Sequence, residues 1–333
     1  MKTAPLSRPA MLLLAISLTV LGIAYVLLRQ PSTPLAKLSI AVSRTPLSTP
    51  IYVAAAKGFF RQQGLDVALD EIIGGNRAFD RMIEGHADLA TSSDSVVIFR
   101  SFQRRDFVVL ASFVTSDNDV KLLASADGPL RDADDLANSR IAVTPQSASE
   151  HFLHNVALMH GIGSETIDTL DVNPEDMDAG LLENNIQALS TWEPYGYTIA
   201  RELGEKAVVL PTRGLHSTSF NLIATEATLQ GKREFLVAAM RAIDQAIDFM
   251  HQNPKQAQAI IRQQLDLETG FVDWVWPDYN FRLGLPSSLL ISLDSGARWA
   301  LNNGHVEPQP LPDFRELLDG SLLQQVIPAV GQR

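Results

Sequence analysis

Short apolar runs alternate with amphipathic helical patterns through most of this chain, and the alternation stops and restarts once. Residues 38–42, 67–69, 87–90 and 108–112 are apolar and short enough for strands. Between them, Thr49 and Pro50 open one helix, with Ile51, Tyr52, Ala55 and Phe59 at helical spacing and Gly58 and Gly64 as breaks. Asn76 is positioned to cap a second helix that carries Phe79, Met82 and Ile83 on one face. Residues 120–124 lead into a second set. It comprises a strand at 140–143, a helix at 147–160, then 170–172, 174–183, 188–191 and 208–210. Residues 221–224 read as a strand returning to the first set. The remainder is helical: 233–252, 254–265 and 287–303, then Pro308, Pro310 and Pro312 in a loop before a last short helix. A βαβα order predicts an α/β fold with helices covering mainly parallel sheets. Two such units in succession predict two lobes and a cleft, with ligands beyond the carboxyl ends of the strands.

The 333 residues suffice for more than one domain. The net charge of −11 carries no long acidic run, and it argues against non-specific nucleic-acid binding. There is no cysteine, so disulfides, thiolate metal sites, a Cys nucleophile and a lipid anchor at Cys are excluded. Lys2 and Arg8 precede an uncharged run of 19 residues, 10–28, closed by Arg29. That is closer to the roughly 20 residues of a spanning helix than to the ~7–15 of a signal-peptide core. A membrane anchor is therefore expected, with cleavage near Gly22-x-Ala24 as the alternative. Either reading puts the chain beyond about residue 30 outside the cytoplasm, periplasmic or otherwise extracytoplasmic.

The segments after the strands carry the candidate contacts. Leu47, Ser48 and Thr49 lead into a helix start, where free N–H groups and the dipole favour an anion or carbonyl oxygen; Thr49 also suits a plain cap. Ser92, Ser93 and Asp94 lie in a small polar run, Thr91–Ser95, at another helix start. Asp94 disfavours an anion there unless it points away or meets an amine. Ser147 and Glu150 match a capping box, and Ser149 with this turn's N–H groups is the anion candidate in the second lobe. Trp192 with Tyr195 can wall a pocket, and Glu193 can take an ammonium or hydroxyl; ordinary packing and a helix start explain these residues equally well. His151 and His154 are spaced to reach one metal, but no known zinc spacing completes the set, so no metal is expected. Gly74-Gly75 matches no nucleotide motif, and no Ser nucleophile motif is present. Trp274, Trp276 and Tyr279 are expected in packing.

Taken in order, "TPIYVAAAKGFFRQQGLDV", "GGNRAFDRMIEGHADLA", "LRDADDLANSRIAV", the Ser-rich helix start, "LSTWEPY" and "SGARWALNNGHVEP" resemble the periplasmic substrate-binding proteins of ABC importers. The nearest group is the nitrate/sulfonate/taurine type, which includes thiamine-precursor binders. The resemblance covers roughly residues 38–325. It departs at Asn185-Ile-Gln-Ala188, where the group has Gly-x-x-Asp-Ala, and at Asn138-Ser139-Arg140, where it has Gly-Lys-Lys. It implies a two-lobe type II fold in four pieces: 1–36 anchor or signal and linker, 37–116 lobe 1, 117–216 lobe 2, and 217–333 the return to lobe 1. It implies contacts from Leu47, Ser48, Thr49, Ser92, Ser93, Asp94, Ser147, Ala148, Ser149, Trp192 and Glu193, with Thr115 near the first crossover. The implied function is capture of a small anionic or zwitterionic solute for an ABC permease and ATPase, with no cofactor and no catalysis. Two other classes are a membrane-tethered sensor and an enzyme on the same fold, of the pyrimidine-precursor type; the export segment and absent cysteine weigh against the enzyme.

Overall fold

The computed structural model describes residues 34–183 and 186–327, and the apolar runs form the strands of two separate sheets. In β1 (Ala36–Ser43) the residues Ile40, Ala41 and Val42 are 0% exposed. Both faces are covered, which is why the run is continuous rather than alternating. β1 pairs in parallel with β2 (Leu65–Ile72) and β3 (Leu89–Ser93). β4 (Phe107–Ser116) ends this set, and the chain leaves. It returns at β10 (Thr218–Thr225), which inserts antiparallel between β3 and β4, while β11 (Tyr279–Gly284) pairs outside β4. The six-stranded order is β11-β4-β10-β3-β1-β2.

The excursion makes the second sheet from β5 (Val120–Ser125), β6 (Arg140–Val143), β7 (Asp168–Asp171), β8 (Ala188–Trp192) and β9 (Ala207–Val209), in the order β7-β6-β8-β5-β9. Each sheet is packed on both faces. On the first, α1 (Thr49–Ala56), α2 (Phe59–Gln62), α8 (Arg233–Gln252), α9 (Pro254–Leu265) and α10 (Thr269–Val275) cover one side. α3 (Gly75–Ile83), α4 (Asp94–Ser101), α11 (Ser287–Asn302) and α12 (Phe314–Leu317) cover the other. On the second sheet α5 (Ala148–Met159) packs on one face and α6 (Tyr195–Leu203) on the other. α7 (Glu226–Gly231) follows β10 directly.

Three local expectations change. α3 starts at Gly75, with Gly74 before it; the Asn76 side chain only accepts from the Arg77 N–H. The start is pressed against β3, where a Cβ on Gly75 would lie 2.8 Å from Ser92 Oγ, so a glycine rather than a cap residue sets the boundary. Residues 174–183 form two 3₁₀ turns, Pro174–Asp176 and Ala179–Glu183, not one helix. β11 lies in a region read as helical: Tyr279, Phe281 and Leu283 are buried while Asn280 and Arg282 are exposed, a strand's alternation. The apolar run 10–28 lies outside the described residues. Among the described residues no helix is long and apolar enough to cross a membrane.

Candidate functional site

The carboxyl ends of β1, β3, β6 and β8 face a cavity between the two sheets. Ser43, Thr45 and Leu47 reach it from the β1–α1 loop, and Gly74, Gly75 and Asn76 from the start of α3. Ser93 and Val96 come from the start of α4, Ser147 and Ala148 from the start of α5, and Trp192 from the end of β8. The crossovers add Asp119, Thr218 and Phe220. The cavity is about 40 Å³, room for roughly three waters or one compact head group. Three helix N-termini thus converge on one small volume, each presenting the positive end of its dipole, with side chains already taking the Arg77, Ser95 and Ser149 N–H groups. Thr218 Oγ1 is buried and has no hydrogen-bond partner among the described residues. No Lys or Arg is among the described residues that line the cavity; Asp119 is the one ionisable side chain there.

Of the residues expected at the site, Leu47, Ser93, Ser147, Ala148 and Trp192 line this cavity, and the others do not. Ser48 and Thr49 are buried, and their hydroxyls donate to the carbonyls of Ser43 and Pro46, so they shape the loop that presents Thr45 and Leu47. Ser92 Oγ donates to Gly75 O at 2.9 Å, tying α3 to β3. Ser149 Oγ donates to Ser190 O at 2.6 Å and accepts from the Thr144 N–H, holding α5 against β8. Thr115 lies at a separate recess with Asn280 and Arg282. The capping box is shifted by one residue: Ser147 Oγ accepts from the Ser149 N–H, and Glu150 Oε2 from the Gln146 N–H.

The acids divide sharply by environment. Asp94 is buried and does not line the cavity, accepting from the Ser95 N–H at 2.9 Å and from Ser292 Oγ at 3.3 Å. Burial pushes its carboxyl up to about 7 against these hydrogen bonds. Glu193 does take an ammonium, but that of Lys121, at 2.8 Å and with both side chains buried. Its other partners are Trp274 Nε1 and the Tyr197 N–H. Trp274, expected in packing, is 46% exposed and bridges α10 to this pair. Asp119 takes the place at the cavity that Glu193 was expected to fill. Tyr279 Oη donates to Asp119 Oδ1 at 2.7 Å. Burial pushes Asp119 up to about 7; Glu193 adds to this, while Tyr279 and Lys121 oppose it.

Sequence reasoning missed Asp119, Thr218 and Phe220 because they sit on crossovers, whose approach to the cavity depends on how the two sheets face each other. Gly74-Gly75 was visible as a glycine pair between a strand and a helix, the pattern of close backbone approach.

A sequence profile described as NMT1/THI5 like matches residues 45–257. The chain belongs to the NMT1/THI5-like family. It is 20% identical over 197 residues to the "Putative aliphatic sulfonates-binding protein" of Escherichia coli (strain K12), covering 59% of this chain and 61% of that protein's length. Among solved structures, it resembles the alkanesulfonate-binding protein SsuA from Xanthomonas axonopodis pv. citri bound to MOPS. The TM-score is 0.74 and the identity 17%, over 86% of this chain and 99% of that one. The periplasmic nitrate-binding protein NrtA from Synechocystis PCC 6803 matches with TM-score 0.69 and 13% identity, over 89% of each chain. The desulfurization enzyme DSZB matches with TM-score 0.60 and 15% identity, over 87% of this chain and 98% of that one. The two-lobe α/β fold of periplasmic binding proteins is therefore this chain's fold, and the match to DSZB shows the same fold in an enzyme.

Proposed function

We propose that this chain is the extracytoplasmic solute-binding component of an ABC importer and holds a small sulfonate, nitrate or zwitterion in the inter-sheet cavity. The observation that carries this reading is the convergence of three helix N-termini and the Thr218 hydroxyl, unpartnered among the described residues, on a cavity whose described lining holds no cation. Neutral, pre-oriented donors suit a compact oxyanion, which then needs no lysine or arginine. Ser93, Thr218 and the N–H groups of Gly75 and Asn76 are the donors, while the Ser147 hydroxyl is committed to Thr144 O and shapes the wall; Leu47, Trp192 and Phe220 cover the apolar part of the solute. Asp119 supplies the complement for an ammonium group, as in taurine. Permease and ATPase subunits are the proposed partners, and the periplasm the proposed location, in keeping with the names of the structural neighbours.

The match to the enzyme DSZB bears on the fold alone and finds no counterpart among the described residues lining the cavity. Ser95 Oγ and His151 Nδ1 are 3.2 Å apart, but both residues are buried and neither lines the cavity.

Thermal unfolding of the full chain in the presence of taurine, ethanesulfonate, MOPS or nitrate tests the reading. At least one should raise the melting temperature in a concentration-dependent way. Asp119→Asn should weaken taurine by about tenfold, near 1.4 kcal/mol, while leaving ethanesulfonate within twofold. No stabilisation by any of the four would sink the proposal.

A further inference from the structure

Away from the cavity, a second polar cluster joins the lobes. α5 contributes Glu150 and His154 from the second lobe. His305, just beyond α11, comes from the first. One ligand atom from each lies within 4.8 Å of the others. His305 Nδ1 and Glu150 Oε1 are 3.3 Å apart, which is about the N···O edge of a tetrahedron with bonds near 2.0–2.1 Å. His154 is 4% exposed, and its Nε2 is buried with no hydrogen-bond partner among the described residues. We propose that Glu150, His154 and His305 bind a zinc-class divalent ion that bridges the two lobes.

Each donor is already held in place from behind. His154 Nδ1 lies 2.9 Å from Ser164 Oγ, which leaves Nε2 as the outward nitrogen. Glu150 Oε2 accepts from the Gln146 N–H at 2.8 Å, leaving Oε1 toward His305. Such outer partners fix the ring and carboxylate orientations that a metal needs. His305 is placed by the end of α11. Gly304 is left-handed, with φ 73°, the His305 N–H reaches Ala300 O, and the Gly304 N–H reaches Leu301 O. This is the Schellman arrangement, so Asn-Asn-Gly-His sets the position of the third donor. The Trp299 ring then packs against both imidazoles, with centroids 4.5 Å from His305 and 4.9 Å from His154. The His305 side chain keeps 21% exposure, giving the ion a path in and a place for a fourth, water ligand. Two imidazoles and one carboxylate favour zinc over calcium or magnesium, which prefer all-oxygen sites.

The test uses the full chain without an affinity tag, stripped of metal with a chelator. Titration with Zn²⁺ should show one ion per chain, and Co²⁺ should give the intense visible absorption of a four-coordinate site. His305→Gln and His154→Gln should each weaken Zn²⁺ at least tenfold and abolish the Co²⁺ band. His251→Gln, at an exposed histidine on α8, should leave both unchanged. If His154→Gln does not fold, His305→Gln, at the partly exposed position beyond α11, decides the matter. Zn²⁺ binding that survives His305→Gln, or a Co²⁺ spectrum of six-coordinate type, would overturn the proposal.

Discussion

Thr218 Oγ1 is buried without a partner, and a buried hydroxyl left unpaired costs about 1–3 kcal/mol. Its replacement by the isosteric Thr218→Val should therefore not lower the melting temperature of the unliganded chain. It should weaken whichever sulfonate or nitrate binds by about tenfold, near 1.4 kcal/mol. Calorimetric titration beside thermal unfolding separates the two effects, and equal loss of both would show that the hydroxyl is merely structural. Asp94 gives a second prediction at this scale. Its carboxyl is raised from 3.8 to about 7 by burial, so between pH 4 and 7 the folded chain keeps a proton that the unfolded chain has released. Stability from this group is present at low pH and falls as pH rises toward 7. Burial lowers His154 and His216 to about 4, aided at His154 by His305, and these act oppositely, losing stability as pH falls from about 6.5 to 4. Asp119 is raised in the same sense as Asp94 and His151 lowered like the other two histidines, so the wild-type profile sums several groups. The difference between Asp94→Asn and wild type isolates the acid: the variant's relative stability should grow with pH by a few kcal/mol, on the order of 4 at most. A pH-independent difference in urea midpoints would contradict the raised carboxyl. Ser93 and Ser147 stood out in the sequence as hydroxyls at strand-to-helix turns, and both line the cavity, Ser147 while also capping α5. The burial of Asp94 was not legible, because its partner Ser292 lies on the distant α11.

Strands and helices with strong periodicity are where the sequence reading and the structure agree most closely. β6, α8 and α9 begin and end where the pattern places them, at Arg140–Val143, Arg233–Gln252 and Pro254–Leu265. β11 escaped because its alternation is only six residues long and follows the aromatic cluster that suggested helix packing. The Lys121–Glu193 pair escaped for a related reason. Val120 lies opposite Trp192 and Lys121 opposite Thr191 in the β5–β8 ladder, so a lysine within an apolar strand meets its acid only once the register is set. Breaking a buried pair from one side costs more than removing both charges. Lys121→Met should destabilise the chain by about 3–5 kcal/mol, because Glu193 stays buried with Trp274 Nε1 and the Tyr197 N–H as its remaining donors among the described residues. Lys121→Met/Glu193→Gln should recover most of that loss. Chemical denaturation of the four corners of the cycle measures it, and strict additivity would mean that the two side chains are not coupled.

Across the whole molecule, the contacts between the lobes among the described residues include three that bear on closure. α6 meets α10 where the Tyr197 and Phe271 rings lie 5.2 Å apart. α5 meets α11 and His305 through the imidazole–Trp299 stack. Arg77 at the start of α3 reaches Glu175 in the second lobe at 2.9 Å. The first two contacts are apolar or partly buried and should dominate the energy of closure. The third is exposed on both sides, 45% and 41%, and such pairs contribute only about 0–1 kcal/mol. Its place beside Asn76, which lines the cavity, gives it leverage over access rather than over folding. Apparent affinity scales with the fraction of chains in the closed form, so a small bias there should appear as a small change in binding. Arg77→Glu puts two acids across this contact and should weaken the bound sulfonate or nitrate by about two- to fivefold at low salt, while unfolding stability stays within about 0.5 kcal/mol. Arg77→Glu/Glu175→Arg should restore affinity. Raising the salt shortens the screening length from about 30 Å at 0.01 M to about 10 Å at 0.1 M, so the single variant's defect should shrink as salt rises. Small-angle scattering of the unliganded single variant should show a larger radius of gyration than wild type. A salt-independent defect that the double variant does not rescue would place Arg77 in direct contact with the solute instead of in control of closure.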